Sequence, residues 1–294
     1  MARTPDVWNE GGKNTLTSIK FNVKLNIKSE INPIGKNYHE DQGDDFMNFS
    51  GRTAIVTGGA KGIGRGCCEL LAQHGANVVI ADMNLTGAQE VEKALKEKGC
   101  SVKAVQVNVK SVGDVRAMVK TAADTFGTVD ILINNAGILH TTPIEDITEE
   151  EWDNIVDINL KSVFFATQAV LPYMKDKRYG KVLNLSSLAG RNGGIANGLG
   201  YSATKAGIIG LTRGFAARLA KYGINVNAIA PGSTDTGILD TLPQEKIDEL
   251  VSKIPLGRFG KTEEIAGVAV FLCSDEASFM TGAIVDVNGG MYFG

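Results

Sequence analysis

From Thr53 onward, short apolar runs alternate with longer stretches in which apolar residues recur every three or four positions. The short runs are Thr53–Thr57, Asn77–Ala81, Val102–Val107, Ile131–Ile133, Lys181–Leu185, Asn225–Ile229 and Ile284–Val287. They are β-branched and do not alternate polar with apolar, which predicts strands covered on both faces. The longer stretches predict helices near 62–74, 85–98, 111–126, 148–175, 201–221, 244–253 and 262–273. Repeated strand–helix–strand units cross over right-handed. The pattern therefore predicts a doubly wound parallel sheet with helices on both faces, an α/β/α single domain over residues 47–294.

Residues 1–46 follow a different rule. Ile19, Phe21, Val23, Leu25 and Ile27 alternate with Lys20, Asn22, Lys24, Asn26 and Lys28. That period of two predicts a half-buried strand over 19–27, which would need a partner surface to cover it. Met47 opens the regular pattern directly, so the favoured reading of 1–46 is a leader, an added expression segment or the product of an upstream start. One arginine against seven acidic residues argues against a transit peptide.

Composition narrows the class. Apolar residues are 43% and charged residues 21% of 294, ordinary for a globular protein. Thirty-five glycines exceed the usual share of about 7% and call for tight turns and close backbone approaches. A net charge of −3 offers no basic excess for nucleic acid. No apolar run is long enough to span a bilayer, and no secretory signal opens the chain. Cys67, Cys68, Cys100 and Cys273 show no metal-like spacing. They read as reduced thiols in a cytoplasmic setting.

The first strand runs into Thr57-Gly58-Gly59-Ala60-Lys61-Gly62-Ile63-Gly64, followed by a helix. Glycines in such a loop allow the sharp turn, the close approach of a pyrophosphate and tight helix–strand packing, and the helix N-terminus offers N–H groups to the phosphates. The second strand ends at Asp82, 18 residues beyond Gly64, where a carboxylate accepts from a ribose 2′-hydroxyl and repels a 2′-phosphate. Asp82 therefore points to NAD. Lys61 points to NADP, and a charge clash is the firmer of the two. Asn134-Asn135-Ala136-Gly137, after the fourth strand, lets the backbone pass close to the coenzyme.

Tyr201 and Lys205 stand four apart at the start of a predicted helix and so share one face. A fixed ammonium would draw the phenol down from its usual pKa near 10 and make it a proton carrier for an alcohol or ketone oxygen. Ser187, just past the strand ending at Leu185, would hold that oxygen, with Ser186 as the fallback.

In this order these residues, with Asn159, Pro231 and Gly232, resemble the classical short-chain dehydrogenase/reductase family across about residues 50–294. The resemblance implies a seven-stranded Rossmann-like domain, a nicotinamide coenzyme and a homotetramer. It also implies roles: Tyr201 as acid/base, Lys205 on the nicotinamide ribose, Ser187 orienting substrate, and Asn159 holding a water in a proton relay. Thr236 resembles the family residue that meets the carboxamide. Gly58, Lys61, Gly62, Ile63, Gly64, Asn108, Val109, Asn135, Ala136, Gly137 and Thr234 complete the implied coenzyme site. Three features depart from the family pattern: 14 positions from Ser187 to Tyr201 where 13 is commonest, Asn108 in place of an aspartate, and the extension 1–46.

The substrate pocket is expected among residues 188–200, those after Gly137, and 233–258. Ile247, Leu250, Val251 and Ile254, with Ile238, Leu239 and Leu242, make a candidate apolar lid. His140 and Arg191 are weaker candidates, read as an uninvolved loop histidine and a solvated arginine. The expected activity is NAD-dependent interconversion of a secondary alcohol and a ketone, the alcohol being a polyol or sugar, a cyclic alcohol or a hydroxysteroid. The first alternative is an NADPH-dependent 3-ketoacyl-thioester reductase. A non-catalytic nucleotide sensor or scaffold is opposed by the presence of Asn159, Ser187, Tyr201 and Lys205 together.

Overall fold

The computed structural model describes residues 47–194, 198–237 and 243–294. The strand expected over 19–27 lies outside them. Nine strands and nine α-helices are described: β1 (Thr53–Thr57), α1 (Gly62–Gln73), β2 (Asn77–Asp82), α2 (Leu85–Lys96), β3 (Val102–Gln106), α3 (Val112–Phe126), β4 (Ile131–Asn134), α4 (Glu149–Val156), α5 (Ser162–Lys177), β5 (Gly180–Leu185), α6 (Leu188–Asn192), α7 (Leu199–Leu219), β6 (Ile224–Pro231), β7 (Thr234–Asp235), α8 (Gln244–Val251), β8 (Gly260–Lys261), α9 (Thr262–Cys273) and β9 (Ile284–Val287).

Seven strands form one parallel sheet in the order β3-β2-β1-β4-β5-β6-β9. Successive residues of a strand point to opposite faces, and here both faces are covered. In β1, Ala54 and Val56 pack towards α1, α2 and α9, whereas Ile55 packs towards α3, α5 and α7. In β4, Ile131 and Ile133 take the first layer and Leu132 the second. This explains why the central strands read as unbroken apolar runs. The edge strand β3 departs from that expectation: Val102 and Ala104 are buried while Lys103 and Gln106 are exposed, because an edge is wetter on one face.

The chain winds outward from β1 to β3, returns to β4 and winds the other way. The crevice at this reversal, at the C-terminal ends of β1 and β4, is where open α/β sheets take ligands. The helix expected over 148–175 is interrupted. Between α4 and α5, residues Asp157–Lys161 form a π-turn, in which the Ser162 N–H donates to the Asp157 carbonyl five residues back. Two further features gave no periodic signal. α6 is only five residues long, and β7 pairs with β8 to close the base of the excursion that carries α8.

Candidate active site

At the end of β1 the glycine loop is held by the end of β4. The Asn135 side-chain amide donates to the carbonyls of Thr57 and Gly58 at 2.9 and 3.0 Å. The N–H groups of Asn135 and Ala136 donate to the Thr57 hydroxyl at 3.0 and 3.1 Å. Gly58 and Gly62 adopt φ of +67° and +56°, the left-handed region that glycine enters freely. A Cβ on Gly64 would strike the Gly58 carbonyl oxygen and the Asn135 amide. No side chain caps α1, so its first N–H groups, beside Ile63, present the positive end of the helix to the cleft.

Asp82 lies at the rim of this loop. Its carboxylate accepts from the Ala60 N–H at 3.0 Å and from the Asn84 N–H at 2.9 Å, which fixes it beside the loop while leaving lone pairs free. Lys61 is exposed. The Asn108 side chain accepts from the Lys110 N–H at 3.1 Å, a local turn, and Val109 packs half-buried against the α3 layer. Across the crevice, Gly232 follows Pro231 and passes so close to β9 that a Cβ would lie 2.8 Å from the Asn288 Cα. Thr234 donates to the Gly232 carbonyl at 3.2 Å, and the Thr236 methyl faces Gly62.

The two serines differ in burial. Ser186 is buried and donates to the Lys205 carbonyl at 2.8 Å, a structural bond. Ser187 caps α6, accepting from the Ala189 N–H at 3.1 Å, and its hydroxyl lines the cleft together with the phenol of Tyr201. Of the stretch between Ser187 and Tyr201, α6 and the left-handed Gly193 and Gly194 that follow it are described. Lys205 is buried and donates to the Leu185 carbonyl at 2.7 Å. Burial pushes its ammonium down to about 8. Burial also pushes Tyr201 up, with the Ser187 hydroxyl pulling the other way. The downward shift expected for Tyr201 is therefore not what the coenzyme-free protein shows: Lys205 stands 5.5 Å from the ring centre, and desolvation of the phenol wins.

Asn159 sits in the π-turn, buried. Its amide accepts from the Ile138 N–H at 2.8 Å, donates to the Ile138 carbonyl at 2.9 Å, and donates to Thr204 at 3.3 Å. It thereby pins the chain just after Gly137, where a Cβ would lie 3.2 Å from the Asn159 oxygen. These groups surround one cleft of about 1160 Å³, lined by Ser187, Tyr201 and Lys205 on one side and Ile63, Thr234 and Thr236 on another. Asn192, within the segment 188–200 expected to form the pocket, lines it too, and so do Phe259 and Met291, which the sequence did not point to. The last two come from separate elements with no shared spacing, so only the fold collects them.

His140, read from the sequence as an uninvolved loop histidine, does not line the cleft; its ring lies 3.3 Å from Glu151 and against Gly198 and Gly200. Two expectations are corrected. Arg191 is neither solvated nor turned to a ligand: it pairs with Asp286 at 2.8 Å and stacks on Tyr292. The apolar lid is only partly apolar. Of its described residues, Leu250 lines the cleft, Ile254 is buried beneath, and Lys246, Glu249 and Lys253 take the rest of the cleft-facing positions. Ile238, Leu239 and Leu242 lie outside the described residues.

The cysteines are free, and burial pushes the thiols of Cys67, Cys68 and Cys273 up, away from reactivity. Among the described residues no helix is long and apolar enough to cross a membrane, and no group of side chains is placed to hold a metal ion.

Comparison with known proteins agrees with this geometry. A family model described as enoyl-(acyl carrier protein) reductase matches residues 58–292. The 3-oxoacyl-[acyl-carrier-protein] reductase FabG of Staphylococcus aureus is 43% identical over 247 residues, covering 82% of this chain and 98% of that protein. Its Thermotoga maritima counterpart is 39% identical, covering 83% of this chain and 99% of that protein. The crystal structure of gox2181 superposes with a TM-score of 0.81 at 36% identity, covering 84% of this chain and 98% of that one. The chain belongs to the classical short-chain dehydrogenase/reductase family.

Proposed function

We propose that this protein reduces a 3-oxoacyl thioester to the 3-hydroxyacyl thioester, using NADH. The observation that carries the reaction type is the Ser187–Tyr201 hydroxyl pair above buried Lys205, in a cleft shared with the glycine loop. The substrate class is supported by the printed activity of the curated relatives, which match over nearly their whole length. It displaces the polyol, cyclic-alcohol and hydroxysteroid reading, which has no such support.

The loop fits a dinucleotide: Gly58 and Gly64 leave the space that a Cβ would fill, and the uncapped start of α1 faces the cleft. The coenzyme supplies the hydride that adds to the C3 carbonyl carbon. Tyr201 gives its phenolic proton to the carbonyl oxygen. Its raised pKa keeps that proton in place at neutral pH, which suits an acid in the reductive direction. Ser187 donates a hydrogen bond to the same oxygen and orients it. Lys205, cationic below about pH 8, stabilises the phenolate left behind. Asn159 acts by fixing the Gly137–Ile138 wall. Asp82, held by Ala60 and Asn84, favours the ribose hydroxyl of NADH over the phosphate of NADPH.

The test is loss of reduced coenzyme with acetoacetyl thioesters, NADH and NADPH compared, with Tyr201→Phe as control. Turnover that is faster with NADH and absent in the control supports the proposal. Inactivity on every 3-oxoacyl thioester, with oxidation of an alcohol from the displaced classes, would overturn it. The homotetramer that family membership implies is checked by light scattering.

A further inference from the structure

Among the described residues the cleft is lined by three lysines and one carboxylate, in a chain whose net charge is −3. Lys205 is turned inward to the Leu185 carbonyl. The other two, Lys246 and Lys253, stand on and just beyond α8, at positions i and i+7 of one helical face. Glu249 lies between them and accepts from both, Lys246 on one oxygen and Lys253 on the other, each at 2.7 Å. The three side chains are about half exposed, so this face forms the mouth of the cleft and not its floor. The two lysines hold the Glu249 carboxyl down at about 2, ionised at any working pH.

This arrangement leaves a net positive charge at the mouth. Each ammonium has three N–H donors and gives one to Glu249, so four remain, held in a fixed relation by the shared carboxylate. Among the described residues, no acidic side chain other than Glu249 lines the cleft. The rest of the lining is apolar, hydroxyl or amide apart from Lys205, so an anionic part of a bound molecule finds its free charge partner here. α8 buries none of its own residues, so its side chains remain open to the cleft and to solvent.

Resting on the thioester reading above, we propose that Lys246 and Lys253 form a phosphate subsite. It takes the phosphate ester on the arm that carries the acyl thioester, while the acyl end reaches Tyr201. A carrier-protein arm and coenzyme A share this chemistry.

The experiment compares acetoacetyl thioesters of N-acetylcysteamine, which lacks phosphate, of 4′-phosphopantetheine, of coenzyme A, and of a carrier protein bearing the arm. Each is run on the native chain and on the Lys246→Ala/Lys253→Ala double variant. The KM of each phosphate-bearing thioester, relative to that of the N-acetylcysteamine thioester, is expected to rise about fivefold to tenfold in the variant, with kcat retained. Glu249→Gln, which frees both lysines, is expected to lower that ratio. A purely structural role for the trio would make both variants move the same way. An effect confined to the coenzyme A thioester assigns the subsite to that source, and an effect shared by the carrier protein assigns it to the arm. Equal ratios in native and variant chains, or a matching rise in the KM for NADH, would overturn the subsite while leaving the reductase reading intact. If no thioester is turned over, titration of the native chain with free 4′-phosphopantetheine still decides: no binding, or binding unchanged in the double variant, overturns the proposal.

Discussion

Replacing Lys205 with methionine should make the coenzyme-free protein more stable at pH 7 while removing its turnover. Burial lowers the Lys205 ammonium from 10.5 to about 8, so carrying that charge at neutral pH costs the fold about 3 kcal/mol relative to an exposed lysine. Against this, the variant loses the 2.7 Å bond to the Leu185 carbonyl. A missing partner on a buried acceptor costs about 1–2 kcal/mol. The net expectation is a gain of about 1–2 kcal/mol, or roughly 3–6 °C in Tm for a chain of this size. The pH dependence separates this cause from others. Below pH 8 the lysine is protonated whether the chain is folded or not, so the penalty is complete and flat. Between about 8 and 10.5 the folded chain has released the proton and the unfolded chain still holds it, so the native protein gains stability as pH rises. The advantage of the variant should therefore shrink above pH 8 and vanish before pH 10.5. Denaturant unfolding of both proteins at pH 7 and pH 10 measures it. A variant that is less stable at pH 7, or a difference that does not change with pH, would refute the reasoning.

Asp82→Ala should weaken NADH and strengthen NADPH, moving the ratio of their dissociation constants about 10–100-fold, because it removes both a charged acceptor and a repulsion; coenzyme fluorescence titration reads it, and equal changes for both coenzymes would contradict a selective role. Ser187→Ala should cut kcat by about 10²-fold and cost about 1 kcal/mol of stability through the lost α6 cap. Ser186→Ala should also destabilise by about 1 kcal/mol, through loss of its bond to the Lys205 carbonyl, but with kcat largely kept; melting curves and kcat measured on both variants separate the two serines. Removing residues 1–46 should leave both the mass in solution and the turnover of the remaining chain unchanged, and a loss of either would give the extension a function.

Most of the sheet was legible because β1, β2 and β4 are apolar on both faces, a pattern that only a doubly covered strand requires. The glycine loop and the Tyr201–Lys205 pair were legible because their spacing is local. What escaped was set by contacts between distant segments. The sequence does not show that Arg191 meets Asp286, 95 residues away, or that Ser186 spends its hydroxyl on Lys205. The pattern over 148–175 predicts one continuous helix because a π-turn changes the hydrogen-bond partner without changing the residue types that favour helix. The lid differs from expectation for a related reason: its apolar stripe is real, but helical periodicity does not say which face meets the cleft.

That π-turn has a consequence for how this stretch tolerates change. α4 and α5 are two halves of one rod, wound out of step by a single residue. Deleting one position, Ile158 for example, would close the wide turn into a regular α turn, because one turn of either kind advances the chain by nearly the same angle. α5 would keep towards the sheet the face that packs on it, Val163, Ala166 and Val170, while Asn159 would lose the wide turn that holds it against Ile138. The cost of a lost residue would therefore fall on the wall of the cleft and not on the packing of α5.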